Sequence, residues 1–206
     1  MKDILARRKQ AERRERITRI LGAGRNLFLR KGYASTTMRD ICEAAELSTG
    51  AVYFYFSGKD EIYASICEES FHVLLDMFDT ALKETTAPLE RLHAMKSAYL
   101  AFYTDHHERW VMLNSGFRNA GLPDELFKTL EALDHRGISL LHDTVSALLD
   151  EKNIAGKYDS RKITMALWAS AEGLLTLHNQ KYFEYTQTTL EEMLNMQIAI
   201  FLRGLQ

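Results

Sequence analysis

Proline occurs only twice in the 206 residues, at Pro88 and Pro123, so long stretches lack the residue that most reliably breaks a helix. Cysteine also occurs only twice. Cys42 and Cys67 have no metal-ligand spacing and fall in helical patterns, where they read as small buried hydrophobes without chemistry. The longest uncharged apolar run, Ile163 to Ala171, is far short of a bilayer span, and the first 35 residues are too charged to hold a signal peptide. A cytoplasmic protein that does not engage a membrane is the expectation. Strand-like alternation, internal repeats and low-complexity tracts are lacking as well. So are a nucleophile elbow, a phosphate loop and a metal-hydrolase helix, and the polar groups of the C-terminal part form no evident acid–base pair, so no catalysis is expected. These absences leave an all-α fold, and a 46% hydrophobic composition suffices for a sizeable core.

What is present begins with charge. The net charge of −2 conceals an asymmetry: residues 1–60 carry 13 Lys+Arg against 7 Asp+Glu, hence +6, and the remainder carries 13 against 21, hence −8. A basic module on an acidic body points to a polyanionic partner, because cationic side chains near phosphates release condensed counterions.

Apolar residues recur at helical spacing in Ile17, Ile20, Leu21, Leu27 and Phe28, giving a first helix over 15–29 that ends at Lys31-Gly32. Gly22 and Gly24 inside it cost about 1 kcal/mol each relative to alanine, which close approach by a neighbouring helix would offset. Thr37 with Asp40 three residues on predicts a capped helix to about Ala45, and Ser48 predicts an N-cap for a second short helix to about Tyr55. Two short helices around the Glu46-Leu47 turn are the arithmetic of a helix-turn-helix. Ile41, Ala44, Ala45, Leu47, Val52 and Phe56 are expected to pack this unit against Leu21 and Phe28. Later patterns predict a long helix after Lys59, one opened by Pro88, a shorter one over 110–117, another over 124–150, and a last pair over 160–182 and 187–203.

In such a motif the second helix enters the major groove while flanking caps hold phosphates. Thr36, Thr37, Ser48 and Thr49 are short hydroxyls beside helix N-termini, and Arg39 can reach a base or the backbone. Gly50 and Ala51 are small where bulk would hold the helix out of the groove. Tyr53 and Tyr55 have the length to reach phosphates.

These residues closely resemble the tetracycline-repressor-like (TetR) family of bacterial regulators. The likeness rests on Ile20-Leu21 to Phe28, Lys31-Gly32-Tyr33, Thr36-Thr37, Ile41, the run from Ala44 to Phe56, and Gly58-Lys59-Asp60-Glu61-Ile62. It covers about residues 15–65; beyond them only length and helical pattern agree. The resemblance implies a three-helix DNA-binding domain over 1–58, with 1–14 as a basic extension. It also implies a six-helix ligand-binding and dimerisation domain over 59–206, a homodimer, a palindromic operator, and repression relieved by a small-molecule inducer. DNA-contact roles carry over to Thr37, Arg39, Thr49, Gly50, Ala51, Tyr53, Tyr55 and Lys59, the last as a phosphate clamp. Three departures stand out: Glu46 occupies the position of a common turn glycine, Tyr55 replaces a frequent histidine, and Gly22 and Gly24 loosen the first helix. Residues 1–14 read either as an arm tracking the minor groove or as an extension of the first helix.

For an apolar pocket the candidates are Tyr99, Phe102, Tyr103, Trp110, Met112, Phe117 and Trp168, with Asn114, Glu172 and His178 to orient a polar end. The last two helices are apolar on more than one face, which predicts a subunit interface through Leu167, Ser170, Gly173, Leu174, Leu177, Leu194, Ile198 and Phe201. His106, His107, His135 and His142 lack the ligands to complete a metal shell, so neither metal nor cofactor is expected. A competing reading is a helical adaptor whose basic end meets an acidic protein or a membrane surface; membrane binding would need an amphipathic helix with exposed bulky apolar residues.

Overall fold

The computed structural model describes residues 2–114, 116–185 and 187–205. Its α-helices are α1 (Lys2–Lys31), α2 (Met38–Ala44), α3 (Thr49–Tyr53), α4 (Lys59–Lys83), α5 (Pro88–Asp105), α6 (His107–Asn114), α7 (Asp124–Glu151), α8 (Ser160–Asn179) and α9 (Leu190–Gly204). Among the described residues there is no strand, and no helix is long and apolar enough to cross a membrane.

The chain forms two compact units, residues 1–72 with 107–133 and residues 73–106 with 134–206. Their extents differ from a division after residue 58, because residues 59–72 and 107–133 share a core with the helix-turn-helix. Ile20, Leu21 and Phe28 of α1 join Ile41, Val52, Phe56, Ile62 and Ile66 in that core, together with Met112, Phe117 and Leu130. Ala44, expected to pack inward, is exposed. In the second unit Leu92, Val145, Leu148, Leu149, Leu167 and Ile198 form a separate apolar cluster, and α8 packs on α9.

Several ends differ from the predicted ones for identifiable reasons. The first helix begins at Lys2, so residues 2–14 extend it as helix, exposed over 5–14, rather than forming an irregular arm. The helix expected over 110–117 starts at His107 and stops at Asn114; Gly116 (φ +97°) then leads into a 3-10 turn, Phe117–Asn119. α8 ends at Asn179 instead of 182, with Lys181 left-handed (φ +64°) before a second 3-10 turn, Tyr182–Tyr185. α9 starts at Leu190 rather than 187 because Thr189 and Glu192 form a reciprocal capping box.

The two glycines of α1 differ. A Cβ on Gly24 would lie 2.8 Å from Cγ2 of Ile62, which is fully buried and branched at its β-carbon, whereas one on Gly22 would meet nothing within 4 Å. Close helix approach thus accounts for Gly24 alone. Gly22→Ala should raise stability by about 1 kcal/mol through helix propensity. Gly24→Ala should lower it by about 1 kcal/mol, overpacking outweighing propensity. Urea unfolding of both variants checks the opposite signs; a gain for both would contradict the contact.

Candidate functional site

The helix-turn-helix is fixed by local hydrogen bonds that its sequence dictates. Thr37 caps α2: its hydroxyl accepts from the Asp40 backbone N–H and donates to the Asp40 carboxylate, which also accepts from the Thr37 N–H. Lys31 Nζ donates to the same carboxylate at 2.6 Å. Ser48 caps α3 by accepting from the Ala51 N–H. Between the two helices Glu46 adopts φ +52°, the left-handed turn where glycine would be easier. Arg19 braces this turn, donating from Nε to the Ala45 carbonyl at 3.1 Å and from a terminal guanidinium nitrogen to the Glu46 carbonyl at 3.3 Å. A cation at the carbonyl end of α2 is the favourable sign.

Asp40 carries a pH signature. The hydrogen bond from Lys31, followed by those from Thr37, holds its carboxyl well below the usual value near 4. A carboxylate depressed by folding stabilises the protein above its unfolded value, and that contribution fades as pH falls toward its folded value. Wild type should therefore exceed Asp40→Asn in thermal stability above about pH 5, with the gap closing progressively below about pH 4. Equal pH profiles for the two proteins would contradict this role.

Of the residues expected to meet DNA, Thr37, Arg39, Ser48, Thr49, Gly50 and Tyr53 are exposed, and Ala51 and Tyr55 are half-buried. Arg39 pairs with Glu43 across one helical turn. Arg13 of the basic extension lies 5.9 Å from the Tyr55 ring centroid, which brings α1 beside the end of α3. Phe54, present in the motif but assigned no role by sequence, is 79% exposed and edge-on to Tyr55. Its position between buried Val52 and Phe56, out of phase with both, is the signal that could have found it.

Two of the expected contact residues have partners within the protein. Thr36 is buried, and its hydroxyl donates to the Gly32 carbonyl at 2.8 Å, which closes the end of α1 and turns that group away from solvent. Lys59 Nζ donates to the carbonyls of Tyr33 (3.0 Å) and Thr36 (3.1 Å) and sits 4.4 Å from the Tyr33 ring centroid. Its ammonium buttresses the α1–α2 turn. Tyr33 in turn donates to Asp60; burial, then this carboxylate, pushes its hydroxyl pKa up. Cys67 is fully buried, and burial pushes its thiol up to about 12, far from a nucleophile.

The second unit holds a cavity of about 70 Å³ lined by Leu92, Met95, Tyr99, Leu141, Leu167 and Trp168, with Phe78, Ala171 and Ile198 among the other apolar members. That is space on the order of five waters. Tyr99 and Trp168 face each other at 5.4 Å between ring centroids. Polar character comes from Gln197 and Lys96, the latter donating to Asn195 Oδ1 at 2.9 Å and standing 3.9 Å from Glu191.

Of the sequence-predicted pocket residues, Tyr99 and Trp168 line this cavity, and Glu172 reaches it at one remove by accepting from the Tyr99 hydroxyl. Phe102 is fully buried and does not line it. Tyr103 and His178 form their own 2.8 Å hydrogen bond outside the lining. Trp110, Met112 and Phe117 are buried in the first unit, and Asn114 is exposed at the end of α6. Sequence periodicity marks such residues as buried without saying in which core.

The expected interface set also divides. Leu167, Leu194 and Ile198 are buried within the second unit, while Leu174 and Phe201 are half-buried. Ser170, Gly173 and Leu177 do lie outward. They share α8 with exposed Met165 and Ala169, and Met196 and Ile200 are exposed on α9. Among the described residues no group of three or more His, Cys, Asp or Glu is gathered as a metal shell; His142 Nε2 instead meets Ser160 Oγ at 3.0 Å.

Residues 20–66 match the family described as bacterial regulatory proteins, tetR family. The HTH-type transcriptional regulator TtgR of Pseudomonas putida is 24% identical over 185 residues, covering 83% of each chain. The HTH-type transcriptional repressor KstR2 of Mycobacterium tuberculosis is 28% identical over 86 residues, 42% of this chain and 43% of that one. Among solved structures, the TetR-family regulator PfmR of Thermus thermophilus superposes with a TM-score of 0.71 at 23% identity, over 91% of this chain and 98% of that one.

Proposed function

We propose, from the premise that this chain belongs to the TetR family of bacterial transcriptional regulators, that it is a cytoplasmic, homodimeric repressor released from a palindromic operator by a small, largely apolar effector. The observation that carries the reading is the exposed helix-turn-helix within a basic N-terminal segment, in which the small residues Gly50 and Ala51 and the aromatic Tyr53 lie on one short helix capped by Ser48 after a turn braced by Arg19. Two copies related by a two-fold axis would set two such helices in successive major grooves. Thr37, Arg39, Thr49 and Tyr55 then flank the groove, and the +6 charge of residues 1–60 supplies the attraction for phosphate.

The effector site is the cavity of the second unit. Its size suits a ligand about as large as a substituted benzene ring, with Trp168 and Tyr99 as aromatic walls. Phe78 of the lining and Lys59 at the α1–α2 turn lie on the same helix, α4. A ligand that binds one setting of α4 more tightly shifts the population toward it. The adaptor reading is disfavoured by burial of the α1 apolar stripe, Ile20, Leu21, Leu27 and Phe28, which leaves that stripe unavailable to a membrane.

A thermal-shift screen of small apolar compounds followed by operator release tests the effector site. Ala171→Phe projects a ring into the cavity; it should keep operator affinity and weaken release by about tenfold or more. Release of wild type and variant at the same concentrations would place the effector elsewhere.

A further inference from the structure

A second cluster lies in the first unit, apart from the effector cavity and independent of it. Arg25 of α1 and Arg109 of α6 converge on Glu69 of α4. One terminal guanidinium nitrogen of each arginine stands 3.9 Å from the same carboxylate oxygen, Glu69 Oε2. That separation is an ion-pair distance, too long for a direct hydrogen bond. Both arginine side chains are largely covered, 23% and 22% exposed, while Glu69 is 47% exposed. Arg25 Nε and the Arg109 terminal nitrogen nearest Glu69 are buried and have no hydrogen-bond acceptor among the described residues.

Two guanidinium groups against one carboxylate leave a local charge of +1, and buried charged donors without acceptors are costly. Burial first, then the neighbouring Arg25 charge, holds the Arg109 guanidinium below its ordinary value, with Glu69 acting the other way. An anion between the two arginines would remove both penalties. Guanidinium forks match planar oxyanions. A monoanion brings the cluster to neutrality, whereas a dianion would leave excess negative charge beside Glu69.

We propose that Arg25, Arg109 and the rim carboxylate Glu69 form a binding site for a small monocarboxylate, held between α1 and α6. Occupancy ties the helix that carries Arg19 and the helix-turn-helix core to α6, and so stabilises the first unit.

The test uses the full-length protein and acetate as the probe. At fixed ionic strength, replacing chloride by acetate should raise the melting temperature saturably, and inorganic phosphate should do so more weakly. Arg109→Gln and Arg25→Gln should each weaken acetate binding by about tenfold or more, the loss of one charged hydrogen-bonding fork. Glu69→Gln, at an exposed rim, should tighten acetate binding and admit phosphate; it decides the matter if an arginine variant fails to fold. Equal effects of acetate and chloride, an unchanged acetate response in the variants, or stronger stabilisation of wild type by phosphate than by acetate would overturn the proposal.

Discussion

Gly50→Glu is expected to reduce operator affinity by on the order of a hundredfold or more while leaving the protein as stable as wild type or slightly more so. The two halves of this result have separate causes. Gly50 lies in the first turn of α3 on an exposed face, and a Cβ there meets nothing within 4 Å, so the new side chain fits the protein. Replacing glycine raises helix propensity, and a carboxylate near a helix N-terminus has the favourable sign, together contributing about 1 kcal/mol. In the proposed complex the same carboxylate sits in a groove walled by phosphates. Electrophoretic shift and thermal melts of one preparation measure both effects. Retained affinity would remove α3 from the groove; lost stability would show that position 50 is constrained by the protein.

Ile200→Glu should convert the proposed homodimer to monomers, raising its dissociation constant by about a thousandfold, and operator binding should fall with it. Ile200 is 65% exposed, so the folded monomer tolerates the charge. We place the interface of that dimer on exposed Met196 and Ile200 of α9 together with exposed Met165, Gly173 and Leu177 of α8, because large apolar side chains exposed on both helices call for a partner. A two-fold axis doubles the substitution, placing two like charges in one contact. Leu194→Glu is the contrasting variant: Leu194 is buried within its own unit, and a glutamate there should unfold the protein rather than dissociate it. Sedimentation velocity distinguishes these outcomes. A dimeric Ile200→Glu protein would exclude this face from the interface.

These pairs also show what could be read from sequence. Thr37, Asp40, Ser48 and Glu46 were legible because a cap or a left-handed turn is decided within three or four residues, and the structure has each in its expected local role. The core of the helix-turn-helix was legible for a similar reason: one apolar stripe on a short amphipathic helix has one place to go. Adjacent hydroxyls were harder. Thr36 and Thr37 have the same chemistry, but one faces the end of α1 and the other caps α2, a difference set by the path of the chain. The resemblance implies a phosphate clamp at Lys59, and sequence does not show that its three-dimensional neighbours are the carbonyls of a turn some 25 residues earlier. On α8 and α9, apolar residues occupy several faces, and periodicity cannot divide Leu167 and Ile198 from Leu177 and Ile200. Trp110, Met112 and Phe117 do not line the cavity of the second unit, because burial is inferred from residue type while membership of a core depends on topology.

Sequence-specific DNA binding by a dimer is tested most directly by fluorescence anisotropy with DNA from the region upstream of the protein's own gene. Titrations at several salt concentrations should show two protomers per palindromic site, affinity falling steeply and log-linearly with salt, and scrambled DNA of equal length bound at least about a thousandfold more weakly. Equal affinity for palindrome and scrambled sequence, or saturation by one protomer, would contradict it.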